Sequence, residues 1–200
     1  VIDCIHTTAT SHGRVFIVEV MGHKVGWLNL YAGIAGGADI ILLPEIPYDI
    51  NKISEVIDKR EASGKRFSIL AVAEGAVSVE ESMMKKKELK AARAQLPYPS
   101  ISYKIAKELE EKTGHEIRVT VPGHFQRGGS PCAYDRVLCT RLGAAAARLI
   151  KNNQYGFMVA IQNNKVVPVP LSEVAGKLKK VPVDCDEILA AREIGISFGD

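Results

Sequence analysis

The stretch FSILAVAEG, residues 67–75, decides the class of fold. Apolar and small residues run on without alternation, as a strand does when both of its faces are covered, and Glu74-Gly75 ends the run. Working back, DIILL at residues 39–43 is a second such run, stopped by Pro44, and VFIVEV at residues 15–20 is a third, ended by the turn Met21-Gly22-His23. Helix-length segments separate them. Residues 26–35 carry little charge and read as a buried helix. Residues 49–63 read as an amphipathic one, with Asp49 as its cap, Glu55, Asp58, Lys59 and Arg60 on its wet face, and Gly64 at its end. Working forward, residues 101–113 form another amphipathic helix before Gly114, and IRVTV at residues 117–121 is a fourth strand, broken by Pro122-Gly123. Residues 133–150 are a long alanine-rich helix. Residues 156–161 and 165–169 are a strand pair turning at Asn163-Asn164, and residues 186–194 are a last helix. Strands alternating with helices predict an α/β fold, a mostly parallel sheet flanked by helices. Ligands of such sheets sit beyond the carboxyl ends of the strands.

The totals narrow the function. With 200 residues, 46% of them hydrophobic and 24% charged, the chain has enough apolar material for a core and is not disordered as a whole. A net charge of +3, without aromatics interleaved with a basic stripe, excludes nucleic acid as the expected partner. No apolar run is long enough to span a membrane and no signal peptide is present, so no membrane is expected. Cys4, Cys132, Cys139 and Cys185 form no CxxC pair and no metal-ligand cluster, which predicts reduced, cytoplasmic thiols and no metal site in this chain. The segment 80–94, with Lys85, Lys86 and Lys87 in a row, reads as a solvated helix or a mobile insertion. The chain opens at Val1 in mid-pattern, so the native protein is expected to start further upstream.

The densest chemical signal is GHFQRGGSP, residues 123–131. Glycines let the backbone approach a ligand, successive amides can cradle an anion, and His124 and Arg127 add directed donors. Arg118 lies upstream on the preceding strand. A second constellation is EVMGHKVGW, residues 19–27, where a strand ends in a glycine turn and a helix begins with free amides that favour an anion. Glu74 ends an apolar strand where a carboxylate can accept bonds from sugar hydroxyls or simply be solvated, and Arg14, before the first strand, is equally open. The glycines of residues 33–37 read as close packing and a helix end, there is no P-loop, and His6, His12 and His115 have no partner that the sequence identifies.

The blocks GHFQRGGSPCAYDR (residues 123–136) and MGHKVGWLNLYAGIAGGADIILLPE (residues 21–45), with residues 72–75 and Arg118, resemble the 6-phosphofructokinase family. The resemblance covers nearly the whole chain. The charged insertion and the ending GISFGD look most like the bacterial subgroup that mixes ATP- and pyrophosphate-dependent members. It implies the Rossmann-like phosphofructokinase fold, here its C-terminal part: residues 1–125 as the sugar-phosphate domain, residues 126–176 returning to the phosphate-donor domain, and residues 177–200 as a helix packing back. It implies phosphoryl transfer from ATP or pyrophosphate, with Mg²⁺, to the 1-hydroxyl of fructose 6-phosphate in glycolysis. His124 and Arg127 match the residues that hold the sugar phosphate. Arg118 and Arg14 match arginines that reach the same phosphate from a neighbouring subunit, which makes the enzyme a homodimer or homotetramer. Met21 and Gly22 match the turn against the sugar, and Glu74 the carboxylate on its hydroxyls. His23 replaces an arginine near the transferring phosphoryl group. His6 stands where an effector-site arginine is expected and Asp39 where a glutamate is, so classical nucleotide activation is not expected. The family's Thr-Ile-Asp-Asn-Asp motif, with the catalytic base and Mg²⁺ ligands, is absent and would lie before Val1. The chain alone is therefore expected to be inactive, with the donor bound mainly by the missing N-terminal part. The alternative is a non-catalytic sugar-phosphate sensor on the same scaffold.

Overall fold

The computed structural model describes residues 1–200. In chain order the elements are α1 (Ile2–His12), β1 (Val15–Val20), α2 (Trp27–Ala35), β2 (Ile40–Leu42), α3 (Ile50–Ala62), β3 (Ser68–Ala73), α4 (Val79–Ser82), α5 (Lys86–Ala94), α6 (Ile101–Thr113), β4 (Ile117–Thr120), a 3₁₀ turn (Gly123–Arg127), α7 (Ala133–Lys151), β5 (Phe157–Gln162), β6 (Lys165–Pro170), α8 (Leu171–Val174) and α9 (Asp186–Glu193).

Two compact units emerge: Val1–Gln126 with Lys180–Asp200, and Arg127–Lys179. The first holds a parallel sheet in the order β2-β3-β1-β4. Val15 of β1 lies opposite Ser68 on one side and Ile117 on the other, and Ile40 lies opposite Leu70. Side chains alternate between the faces. Phe16, Val18, Ile69 and Ala71 pack on one face with Ile2, Leu30, Ile188 and Phe198. Val15, Ile17, Leu70 and Val72 pack on the other with Ile53, Ile57, Ile105 and Leu109. Cover on both faces is why β1 and β3 are buried throughout and why their sequences do not alternate. The C-terminal GISFGD guards the β2 edge: Ile41 N donates to Ser197 O (2.8 Å), Ser197 N to Asp39 O (3.1 Å) and Asp49 N to Gly199 O (2.7 Å).

Asp49 caps α3 by accepting from Asn51 N at 2.8 Å. Helix α1 was not foreseen, because the run Thr7-Thr8-Ala9-Thr10-Ser11 has low intrinsic helix preference. It is held by its tertiary packing through Ile2 and Ala9. The charged insertion forms two helices rather than one, breaking at Met83–Lys85. No residue of α5 is buried, as a solvated helix requires, yet the segment is tied down. Glu81, in a capping box with Ser78, is 6% exposed and takes Arg93 Nη2 at 2.7 Å and Lys104 Nζ at 3.2 Å. Arg93 also donates to Ala76 O at 2.5 Å. His6, which the sequence left without a partner, lies 2.7 Å through Nε2 from Gly36 O.

The second unit is α7 beside the antiparallel β5–β6 hairpin, turned by Asn163 and Asn164, both at positive φ. Arg141 donates to Asn164 O at 2.6 Å. Ala145 is its one buried residue.

Candidate functional site

The strand order puts β1 between β3 and β4, so the loops leaving their carboxyl ends are neighbours. The β1 turn, Met21-Gly22-His23, is gripped from both sides. Glu74, just after β3, accepts from Gly22 N at 3.1 Å and from His23 N at 2.6 Å, both through Oε1. Gln126, in the turn after β4, accepts from Met21 N at 3.1 Å and donates to Gly123 O at 3.3 Å. The packing needs glycine at two points. A Cβ on Gly22 would lie 2.6 Å from Val25 O, and one on Gly75 would lie 2.0 Å from His23 O. Gly75 lets β3's exit press against the β1 turn.

These bonds change the reading of the free amides after β1. Gly22 and His23 spend theirs on Glu74, and Gly26, the N-cap of α2, gives its own to Glu45 Oε1 at 3.1 Å. Glu45 Oε1 also takes Val181 N at 3.0 Å, tying the C-terminal segment to α2. The protein's own carboxylates thus occupy donors that sequence alone offered to an external anion. Glu74 keeps its second oxygen. His23 holds a left-handed conformation (φ 56°) and is exposed.

His124 and Arg127 lie on the 3₁₀ turn Gly123–Arg127. Both are exposed, and neither side chain bonds to the protein, so their donors are free. Arg14 and Arg118 sit elsewhere. Arg14 precedes β1 and Arg118 lies opposite Phe16, near the amino ends of the strands. β1 separates Arg14 from Met21 by about 20 Å, at roughly 3.3 Å per residue. Both arginines bind Glu116, Arg14 Nε at 2.5 Å and Arg118 through Nη2. The structure therefore brings together Met21, Gly22, His23, Glu74 and His124 at one end of the sheet, and Arg14 with Arg118 at the other.

From sequence Gln126 counts only as a polar member of the glycine turn and Glu45 only as a strand-end residue, and Glu116 has no role. A lone amide or carboxylate carries no signal until the strand order sets its neighbours. The two positions tied to effector binding serve the fold: His6 packs at Gly36, and Asp39 pairs with Arg60 at 2.7 Å and accepts from Ile69 N at 2.8 Å. Burial pushes the Asp39 carboxyl up, against the pull of the Ile69 amide and the Arg60 charge. No group of three acidic, histidine or cysteine side chains is placed to hold a metal ion.

A family model described as Phosphofructokinase matches residues 1–150. The chain is 55% identical over 199 residues to an ATP-dependent 6-phosphofructokinase of Spirochaeta thermophila, covering 100% of this chain and 54% of that protein. It is 45% identical over 216 residues to one of Propionibacterium freudenreichii, covering 100% and 58%. The chain thus spans about half the length of the curated relatives it matches. Among solved structures it is similar to phosphofructokinase from Saccharomyces cerevisiae (TM-score 0.70, 35% identity, covering 86% of this chain and 22% of that one). A pyrophosphate-dependent phosphofructokinase from Nitrosospira multiformis shares the fold (TM-score 0.75, 20% identity, covering 100% and 53%).

Proposed function

The chain belongs to the phosphofructokinase family, and on that premise we propose that it carries the sugar-phosphate side of a 6-phosphofructokinase, which transfers a phosphoryl group from ATP or pyrophosphate to the 1-hydroxyl of fructose 6-phosphate. The observation that carries the proposal is the convergence of Met21-Gly22-His23, Glu74 and His124 at the carboxyl ends of three adjacent strands, with the turn fixed from both sides.

Phosphoryl transfer depends on positioning and charge stabilisation more than on covalent help from the protein. His124 and Arg127 hold the 6-phosphate, the guanidinium as a fork. The free oxygen of Glu74 accepts a sugar hydroxyl, and Met21 and Gly22 form the rigid surface beneath the ring. His23 sits beside the reacting end and offers less positive charge than an arginine there would. Arg14 and Arg118 lie too far from this end to act in the same copy. They reach the sugar phosphate of a neighbouring copy, and Glu116 keeps the pair aligned, which makes the enzyme a homodimer or homotetramer. On this reading the donor, Mg²⁺ and the catalytic base are held mainly by the part of the relatives' length that this chain does not span. Residues 1–125 and 177–200, with Arg127, serve the sugar phosphate, and the rest of residues 126–176 the donor side, in a cytoplasmic enzyme.

Calorimetric titration with fructose 6-phosphate tests this. Arg127→Ala is expected to weaken binding roughly 10- to 100-fold, the range for losing a charge-assisted bond. Unchanged affinity in that variant overturns the phosphate-site assignment.

A further inference from the structure

Glu19 is a carboxylate for which the proposed function has no task. It lies on β1, is 7% exposed, and points to the same face of the sheet as Val15 and Ile17, the face covered by α6. Glu74 continues the Leu70–Val72 row on the neighbouring strand, so the two carboxylates share that face. The one hydrogen bond of Glu19 is accepted by Oε2 from Ser102 N at 3.3 Å, in the first turn of α6. The N-cap residue Ser100 makes no side-chain cap bond there. A negative charge at a helix N-terminus is favourable, which accounts for a buried carboxylate without a cationic partner.

This leaves Oε1 without a protein partner, and unlike Arg93 Nε it is not sealed from solvent. The space next to it is open. A cavity of about 320 Å³ is lined by Glu19, Glu74, Arg93, Tyr98, Ser100 and Ile101. Arg93 spends Nη2 on Glu81 and Ala76 O, and its Nε is buried without a partner. The cavity therefore combines carboxylate acceptors from two strands with a guanidinium from the insertion. A hydroxyl both donates and accepts, so such a pair satisfies it completely. Two carboxylates repel a phosphate, and the volume lies at the low end of the roughly 300–1,000 Å³ of ligand pockets, the scale of one sugar ring.

We propose that Glu19 is a sugar-recognition residue: its Oε1 accepts a hydrogen bond from a ring hydroxyl of the sugar phosphate, while Arg93 of the insertion donates into the same pocket. This rests on the sugar-phosphate reading of the neighbouring turn. It makes the insertion between β3 and α6 part of what selects the sugar.

Glu19→Gln tests it, in the protein expressed from its complete reading frame. Glutamine keeps the shape and the acceptor for Ser102 N, but turns a donor toward the cavity. Calorimetry with fructose 6-phosphate and, separately, inorganic phosphate reads the result. Expected is a loss of about 10-fold or more for the sugar phosphate, with phosphate affinity and thermal midpoint unchanged. A role confined to α6 would lower the thermal midpoint and leave sugar affinity alone, and that outcome overturns the proposal; so does an equal loss for both ligands. Arg93→Lys keeps a charge for Glu81 and removes the fork. Should Glu19→Gln not fold, unchanged sugar affinity in Arg93→Lys overturns the proposal on its own. Arg127→Ala separates the two readings. If it weakens both ligands while Glu19→Gln does nothing, only this inference fails; if it affects neither, the sugar-phosphate reading fails as well.

Discussion

Two strands of this chain are almost equally apolar and end up in opposite circumstances. VFIVEV of β1 is buried at all six positions, and FMVAIQ of β5 at none. β1 has a strand on each side and helices over both faces. β5 pairs with β6 alone, and Phe157, Met158 and Ile161 stay 38–41% exposed. In α7 of the same unit, Val137 and Ile150 are each 61% exposed. An apolar run reports that a surface needs cover; it does not report that the chain supplies it. The proposed role of residues 126–176, on the donor side of a larger enzyme, is consistent with such a surface.

The comparison breaks most easily in the sheet. Leu70 is fully buried among Ile17, Ile40 and Ile105. Leu70→Ala is expected to cost about 2–5 kcal/mol in denaturant unfolding. A loss below 1 kcal/mol would mean that this core is not the stabilising one.

The insertion lies between the two extremes, a wet helix on a buried anchor. Burial by itself would raise the Glu81 carboxyl, but the Arg93 and Ser78 donors and the charges of Arg93 and Lys104 outweigh it and hold the group below its ordinary 4.5. A depressed carboxyl stabilises above its unfolded value, and that contribution is lost as pH falls through the folded value. Wild-type stability should therefore fall more steeply than that of Glu81→Gln below about pH 4.5. Parallel pH profiles would show that the anchor carries no charge-dependent stability.

The smallest effect is expected at Ile161, on the exposed hairpin. Ile161→Ala should change the stability of this chain by about 0.5 kcal/mol or less. A loss as large as at Leu70 would show that β5 is covered after all.

Most of the fold was legible because its signals are local. Pro44 and Gly64 mark ends, Asp49 a start, and the unbroken run at residues 67–73 a strand between two layers. The first helix was not legible, since its threonines and serines oppose it locally and only packing overrides them. Of the candidate site, residues 123–127 were legible as a turn at a strand end, because Pro122-Gly123 breaks the run before them. That Glu74 grips the turn at residues 22–23 was not.

By itself the sequence determined the parallel α/β arrangement, the family and the kinds of residue at each strand end, because periodicity, punctuation and motif blocks lie within a few residues of one another. Only the tertiary structure decided what those residues do to each other. Glu74 meets Gly22 across 52 residues and Gln126 meets Met21 across 105. Arg14 and Arg118 share Glu116 at the far end of the sheet. Such pairs follow from strand order and register, which are settled only when the whole core packs, and no local pattern encodes them.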